Sequence, residues 1–405
     1  MNITTTKITA EHFFGFFLTL FWGKDIIFSY IRAILVHIPY INYVADYIIP
    51  MLMFICLCFA FPYLIINISK NDILFVCGVL LIYILNILIF PLNEELTKIS
   101  GTFFLSVFPL YFIGLRFEAA KHWRILYIMS VVNIWAYTSY YLIFGSNSFD
   151  AYQGSYTSFM GRAYILLPQL LCAFIGVLNK KNILNIATAI MGFILLLMCG
   201  NRGSLVLLLL FIVFYLLFNV DLKKRIYVYV GTISVLGLLL YHYEILLTMI
   251  VSTFVKYGLS VRVFERLSAG TFFESSGRNV LIKELIPAIW DNPIIGYGLC
   301  SDRTITGSYA HNYAFELWTA FGIIFGSIVL IATIFVIISA WIKSRDIESK
   351  GVLLLLICVG FFKLFISSSF LLEGLFFMLI GYCMNQIKKY KLETRKLGDD
   401  KNENL

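Results

Sequence analysis

Charge is scarce in this sequence. Only 13% of the 405 residues are Asp, Glu, Lys or Arg, against 60% hydrophobic and a mean hydropathy of +0.88. That balance lies far outside the range of soluble domains. The net charge of +8 does not point to nucleic acid, because the basic residues lie in short loops and the tail. Histidine is rarer still, with five residues, none paired with another at helical ligand spacing. With no HExxH and no paired-carboxylate motif, no metal centre is expected. The eight cysteines form no CxxC pair, and all but Cys300 fall in apolar runs. This excludes a disulfide framework and leaves them as small buried hydrophobes. No cleavable signal is evident, since Lys24-Asp25 and further apolar chain follow the first apolar stretch. Neither a clear internal repeat nor a linker between soluble domains is found.

What the chain does have is apolar runs of about 17–25 residues, the length that crosses roughly 30 Å of hydrocarbon. A barrel would show short alternating segments instead. The fold class expected is therefore all-α, a single polytopic membrane domain over residues 1–405. Spans are read near 44–66, 72–90, 101–115, 124–145, 163–179, 183–199, 204–219, 226–243, 313–341, 351–368 and 371–387. Residues 13–37 form one imperfect span or an interfacial pair. The total is about twelve by the length rule.

Basic residues orient these spans. Loops with Lys70, Arg116/Lys121/Arg124, Lys180-Lys181, Lys223-Lys224-Arg225 and Lys343/Arg345/Lys350 alternate with loops poor in Lys and Arg. The positive-inside rule places the basic set, and both termini, in the cytoplasm. The tail after Lys388 (388–405) reads as a disordered, solvated charge run. Loops 91–100, 146–162, 200–203, 244–312 and the Ser367–Gly374 turn then face outward. The long loop 244–312 balances six basic against six acidic residues.

Polar chemistry concentrates in one stretch, 276–322, and it falls on that same outer side. Arg278 stands in Ser-Gly-Arg after Gly277, and Trp290, Pro293, Gly296 and Gly298 form Trp-x-x-x-Pro-x-x-Gly-x-Gly. His311-Asn312 precedes a span, with Tyr309 beside the pair and Glu316 one turn below Asn312 on the same helix face. A neutral imidazole near pH 7 is suited to taking a proton from a hydroxyl. Arg202 occupies a tight Gly-Asn-Arg-Gly connection between apolar helices, an anion-binding geometry at a helix N-terminus. Guanidinium is the group for an oxygen-rich diphosphate, because its planar fork holds two oxygens and keeps its charge. Arg162, at the outer mouth of a span, is a weaker member of the set and doubles as a snorkelling anchor. Lys363 lies near the outer end of its span beside Glu373, where ion pairing competes with phosphate binding.

The ordered set Asn201-Arg202-Gly203, Ser276-Gly277-Arg278, the Trp290–Gly298 run and His311-Asn312 resembles the O-antigen ligase/polymerase family over roughly residues 188–335, including the loop 244–312. In the ligases a His followed by Asn, Ser or Gln precedes nine residues and a glycine, which His311, Asn312 and Gly322 match. The chain departs at Phe325, where Gly, Thr or Tyr is usual, and at Asn201, where Ser is usual.

The resemblance implies a membrane glycosyltransferase of the bacterial cytoplasmic (inner) membrane whose donor is an undecaprenyl-diphosphate-linked glycan. Arg202 and Arg278 would clamp the diphosphate and His311 would orient or deprotonate the attacking sugar hydroxyl, with inversion. Arg162, Asn312, Glu316, Gly277, Trp290, Gly296, Gly298 and Lys363 would line the substrate site. The two Gly-x-Gly residues would admit backbone close to ligand, and Trp290 would stack on sugar. No cofactor and no nucleotide sugar is implied, and the cytoplasmic loops are far too short for a Rossmann-type domain. The activity expected is polymerisation of O-antigen, capsule or exopolysaccharide repeat units. Ligation of finished glycan to lipid A-core is the alternative within the family. Besides membrane lipid, a chain-length regulator and a flippase of the same pathway are the partners implied. A reading from another class, a flippase or transporter, would call for charged or broken helices at mid-membrane.

Overall fold

The computed structural model describes residues 3–34, 41–66, 68–91, 93–144, 159–180, 182–199, 201–219, 248–249, 251–252, 256 and 278–403. The expected span at 226–243 and Gly277 lie outside these residues. The described chain is helical, with no strand. Helices α1 (Ile3–Ile34), α2 (Ile41–Ile65), α3 (Lys70–Ile89), α4 (Glu94–Thr102), α5 (Leu110–Arg116), α6 (Ala119–Phe144), α7 (Phe159–Asn179), α8 (Ile183–Met198) and α9 (Arg202–Asn219) form the first half. Helices α10 (Arg278–Asp291), α11 (Ser301–Thr306), α12 (Tyr313–Lys343), α13 (Ile347–Leu356) and α14 (Gly374–Glu403) follow.

Among the described residues, four helical stretches are long and apolar enough to cross a membrane: Lys70–Ile89, Glu94–Arg116, Gly161–Asn179 and Tyr313–Lys343. Shorter apolar helices cover Pro50–Ile65, Ile183–Met198 and Arg202–Phe218. Helix is what such segments must form, because hydrocarbon leaves no other partner for backbone N–H and C=O. Polar residues at the ends of the runs cap them. Ser69 and Asp72 make a reciprocal capping box at α3, with Ser69 N–H donating to Asp72 Oδ2 at 2.8 Å. Asn93, Asn182 and Asp346 accept N–H bonds that start α4, α8 and α13. Those caps fix where the spans begin.

The chain divides into two compact units. In the first (1–60 and 120–274), α1, α6 and α7 meet at the Trp22 carbonyl, which accepts from Asn133 Nδ2 at 2.8 Å and Gln169 Nε2 at 3.1 Å. The N-terminal stretch is thus one helix, with α1 running through Lys24 and Asp25. In the second (61–119 and 275–405), α14 packs tightly along α5. Gly114 and Gly381 let those two backbones touch, as small residues do between membrane helices.

Four expectations need correction. The loop expected over 91–100 is mostly helix: α4 starts at Glu94 and continues through a π-turn, Phe103–Val107, toward α5. The tail expected to be disordered after Lys388 continues as helix to Glu403. Lys389 lies 3.8 Å from Asp346, and Arg345 stacks over the Tyr390 ring at 5.0 Å, so the charge run has partners. The span expected to run unbroken over 313–341 is interrupted at Gly322 (φ 74°, ψ 169°). The expected span 351–368 also changes character, passing from α13 into a π-turn (Ile357–Phe361) and a 3₁₀ turn (Phe362–Phe365).

Candidate functional site

The second unit gathers most of the polar stretch around the break in α12. Gly322 stops the helix, so the carbonyls of Thr319 and Ala320 lose their partners one turn on. The segment after α10 replaces them: Tyr297 N–H donates to Thr319 O and Gly298 N–H to Ala320 O, both at 2.9 Å. In return Ile323 N–H donates to the Pro293 carbonyl at 2.7 Å. Gly296 (φ 73°) and Gly322 face each other backbone to backbone; a Cβ on Gly296 would lie 2.5 Å from Gly322 N. At Gly298 a Cβ would run into the Phe90 ring and the Asn86 amide. The two glycines of the Trp-Pro-Gly run therefore admit the chain's own backbone and side chains, where the sequence led us to expect ligand.

This docking seats α10 on the top of α12. Leu285 and Ile289 bury against Ala310, with Phe315, Trp318 and Ile323 packed around them. Arg278 heads α10, half-buried. Trp290 projects outward, 68% exposed.

His311 sits at the entry to α12 with φ 53°, a left-handed backbone that few non-glycine residues take. Asn312 explains why the chain turns there. Its side chain caps α12, accepting from Ala314 N–H at 3.0 Å and Phe315 N–H at 3.4 Å. The imidazole lies against Tyr309, ring centroids 3.9 Å apart, and its buried Nδ1 has no hydrogen-bond partner among the described residues. Burial, and then the neighbouring Arg278 charge, hold the ring's pKa down to about 4. The imidazole is therefore neutral at pH 7 and can accept a proton.

Glu316 is brought beneath the site, 4% exposed, but it faces the chain rather than His311. Ser369 Oγ donates a short bond to Glu316 Oε1, and Phe370 N–H donates to Oε2 at 3.2 Å. Arg303 joins the same group by donating to Ser369 Oγ at 3.1 Å, and Tyr309 OH donates to Ser367 O at 3.3 Å. The Ser367–Gly374 turn is thereby tied to the His311 segment from three directions. Asp302, 2% exposed, accepts the Ala310 N–H at 2.7 Å and its burial raises its pKa. Lys363 is ion-paired with Glu373, Nζ to Oε2 2.5 Å, and Ser368 Oγ donates to the same carboxylate oxygen at 2.9 Å.

Arg162 and Arg202 belong to the first unit. Arg202 is the first residue of α9, half-buried. Asn201, buried in the turn before it, accepts from Ser204 N–H at 3.2 Å, which is the cap that sets this helix start. Arg162 lies on α7, within electrostatic reach of Tyr137, Tyr141 and Cys199, and α7 packs on both α8 and α9. The two arginines thus bracket the α8–α9 turn.

Asp302, Arg303 and Ser369 were not among the residues singled out from sequence. Asp302 and Arg303 carried a signal, as charges inside the polar stretch. Ser369 did not, since nothing local distinguishes it in its Ser-Ser-Ser run. No family model, curated protein or solved structure matches this chain.

Proposed function

We propose that the protein is a membrane glycosyltransferase that polymerises undecaprenyl-diphosphate-linked repeat units on the outer face of the bacterial cytoplasmic membrane. The observation that carries this reading is His311: a strained, half-buried, neutral imidazole with an unpartnered Nδ1 next to Arg278, at the head of an apolar helix. About twelve spans, with 244–312 outside, complete the topology in this reading.

The acceptor's sugar hydroxyl attacks the anomeric carbon of the donor and its proton passes to His311. The anomeric C–O bond breaks, and polyprenyl diphosphate leaves with the electron pair. Arg278 stabilises the charge that gathers on it, through a two-pronged contact that lysine does not make. Donor binding also tunes the base. A diphosphate beside Arg278 opposes the positive charge that depresses His311, so the imidazole becomes more basic once the donor is in place.

The break at Gly322 supports a second reading, translocation of the lipid-linked glycan, because interrupted helices line the paths of many transporters. One experiment separates the two. Purified protein in vesicles receives synthetic polyprenyl-diphosphate repeat units, and chain growth and transbilayer movement are followed separately. The polymerase reading expects growth without nucleotide sugar, most of it lost in Arg278→Lys. Movement of donor without growth would replace it with the transport reading.

A further inference from the structure

We propose that the corner Trp290–Ile295 is a lipid anchor, seated at the headgroup–acyl boundary of the outer leaflet, which sets the height of His311 above the bilayer. The proposal rests on the chain's spanning a membrane and is independent of glycosyl transfer.

The first observation is an apolar edge left on the outside of α10 and of the turn that follows it. Ile286, Trp290 and Ile294 recur every four residues, and Trp290, Ile294 and Ile295 are 68%, 55% and 57% exposed. The adjoining side of α10 buries Leu285 and Ile289, which leaves this edge outside the protein's own core. Glu284 and Asp291 lie on another exposed flank, and exposed Lys283 lies on the apolar edge itself, where its long side chain can reach headgroup level. A single exposed apolar residue is unremarkable in any protein; a run of large ones beside a tryptophan is not.

The second observation fixes the depth. The hydrogen bond from Ile323 N–H to Pro293 O ties this corner to the residue just below the break in α12. From Ile323 to Lys343 the helix runs roughly 21 residues, about 31 Å at 1.5 Å each, which matches the hydrocarbon core. Ile323 is therefore the outer end of the true span, and Lys343 marks the inner end. Ile324, Phe325 and Ile328, all exposed, open the outward stripe of that span. The Ile294–Ile295 edge continues that stripe at its top. Tryptophan is the residue that favours this level, with its apolar rings in lipid and its N–H toward water. Tyr313–Phe321, the half-helix headed by His311, then stands above the hydrocarbon rather than within it. That places His311 where a charged headgroup group and a sugar hydroxyl can both reach it.

Nitroxide labels test this in the full-length protein in phosphatidylcholine vesicles, with the exposed Cys58 and Cys77 changed to serine. Labels go on Ile295→Cys and, as the wet-flank control, Glu284→Cys. Power saturation compares collision with oxygen, which concentrates in lipid, and with a nickel chelate, which stays in water. We expect the oxygen-to-nickel ratio at 295 to exceed that at 284 several-fold. Nickel dominating at 295 would make the corner a water-facing loop and overturn the proposal. Low collision with both reagents would mean a protein covers it, a second copy included, and would overturn it equally. A parallel measurement leaves the corner's backbone untouched: wild type and Trp290→Phe are compared in vesicles of lipids brominated near the headgroup. Wild type should show a quenched component that the variant lacks; identical quenching would contradict the anchor.

Discussion

Gly296 and Gly322 share one small space: each has positive φ, and a Cβ on either would lie about a bond length too close to the other strand of backbone, 2.5 Å from Gly322 N in one direction and 2.5 Å from Ile294 C in the other. No side chain can yield there, because the obstacles are peptide atoms. Gly296→Ala and Gly322→Ala should each lose about 1–3 kcal/mol from backbone strain alone, with the clash added. Gly307→Ala is the control, since Gly307 has φ 72° but open space around it. Thermal unfolding of the detergent-solubilised protein should rank both variants well below Gly307→Ala. Equal losses at all three positions would mean that the docking contributes nothing beyond strain.

Glu316 and Ser369, 53 residues apart, form the tie that holds the outer turn on the site. Glu316→Ala strips acceptors from both the Ser369 hydroxyl and the Phe370 N–H and should cost about 2–4 kcal/mol, since two buried donors are left unsatisfied at roughly 1–3 each before relaxation. Ser369→Ala should cost less, and the pair should couple by more than ~0.5 kcal/mol in a double-mutant cycle. Donor affinity should change little. Additive losses in the cycle would dissolve the tie.

The apolar runs made the helices legible, and the structure adds what starts several of them: Ser69, Asn182 and Asn312 all cap where the polarity changes. What could not be read is whatever depends on a distant partner. The stretch from Tyr313 to Lys343 is apolar on both sides of Gly322, so its break is set by a partner outside the stretch, Pro293–Gly298. Glu316 sits one turn from Asn312 as the helix period requires, yet its carboxylate binds a serine that no spacing rule links to it. The Gly-x-Gly looked like a ligand surface for the same reason: a bare backbone is recognisable in sequence, and what fills the space beside it is not. The tail misled because its charge run satisfies itself across α12–α13, through Asp346 and Arg345.

Acid should act on this protein through His311. Its folded pKa, about 4, lies below the ordinary 6.5, so the unfolded chain takes up the proton first as pH falls. Stability contributed by the neutral ring is complete above about 6.5 and declines from there toward 4. Melting temperatures of wild type and His311→Gln should converge at pH 7.5 more closely than at pH 5 in relative acid sensitivity, with the wild type the more acid-sensitive. In kinetics, the acid limb of kcat/KM reports the free enzyme and should lie near 4, while that of kcat reports the donor complex and should lie higher. Coincident limbs at the ordinary imidazole value would refute the Arg278 effect.

Topology has its own test. An alkaline phosphatase reporter fused after Asp302 should be active and one fused after Lys224 inactive, because loop 244–312 is expected outside and Lys223-Lys224-Arg225 inside. The reverse pattern would separate Arg202, Arg278 and His311 from the face on which a lipid-linked donor presents its diphosphate.

The central claim is that His311 accepts a proton during glycosyl transfer. It is tested most directly by purified His311→Gln with synthetic polyprenyl-diphosphate repeat units, measuring chain growth and donor binding on one preparation. A general base contributes about 10²–10⁴-fold, and glutamine keeps the hydrogen bonding without the basicity. The account predicts growth lower by that factor with donor affinity and thermal stability nearly unchanged. Chain growth at the wild-type rate would contradict it.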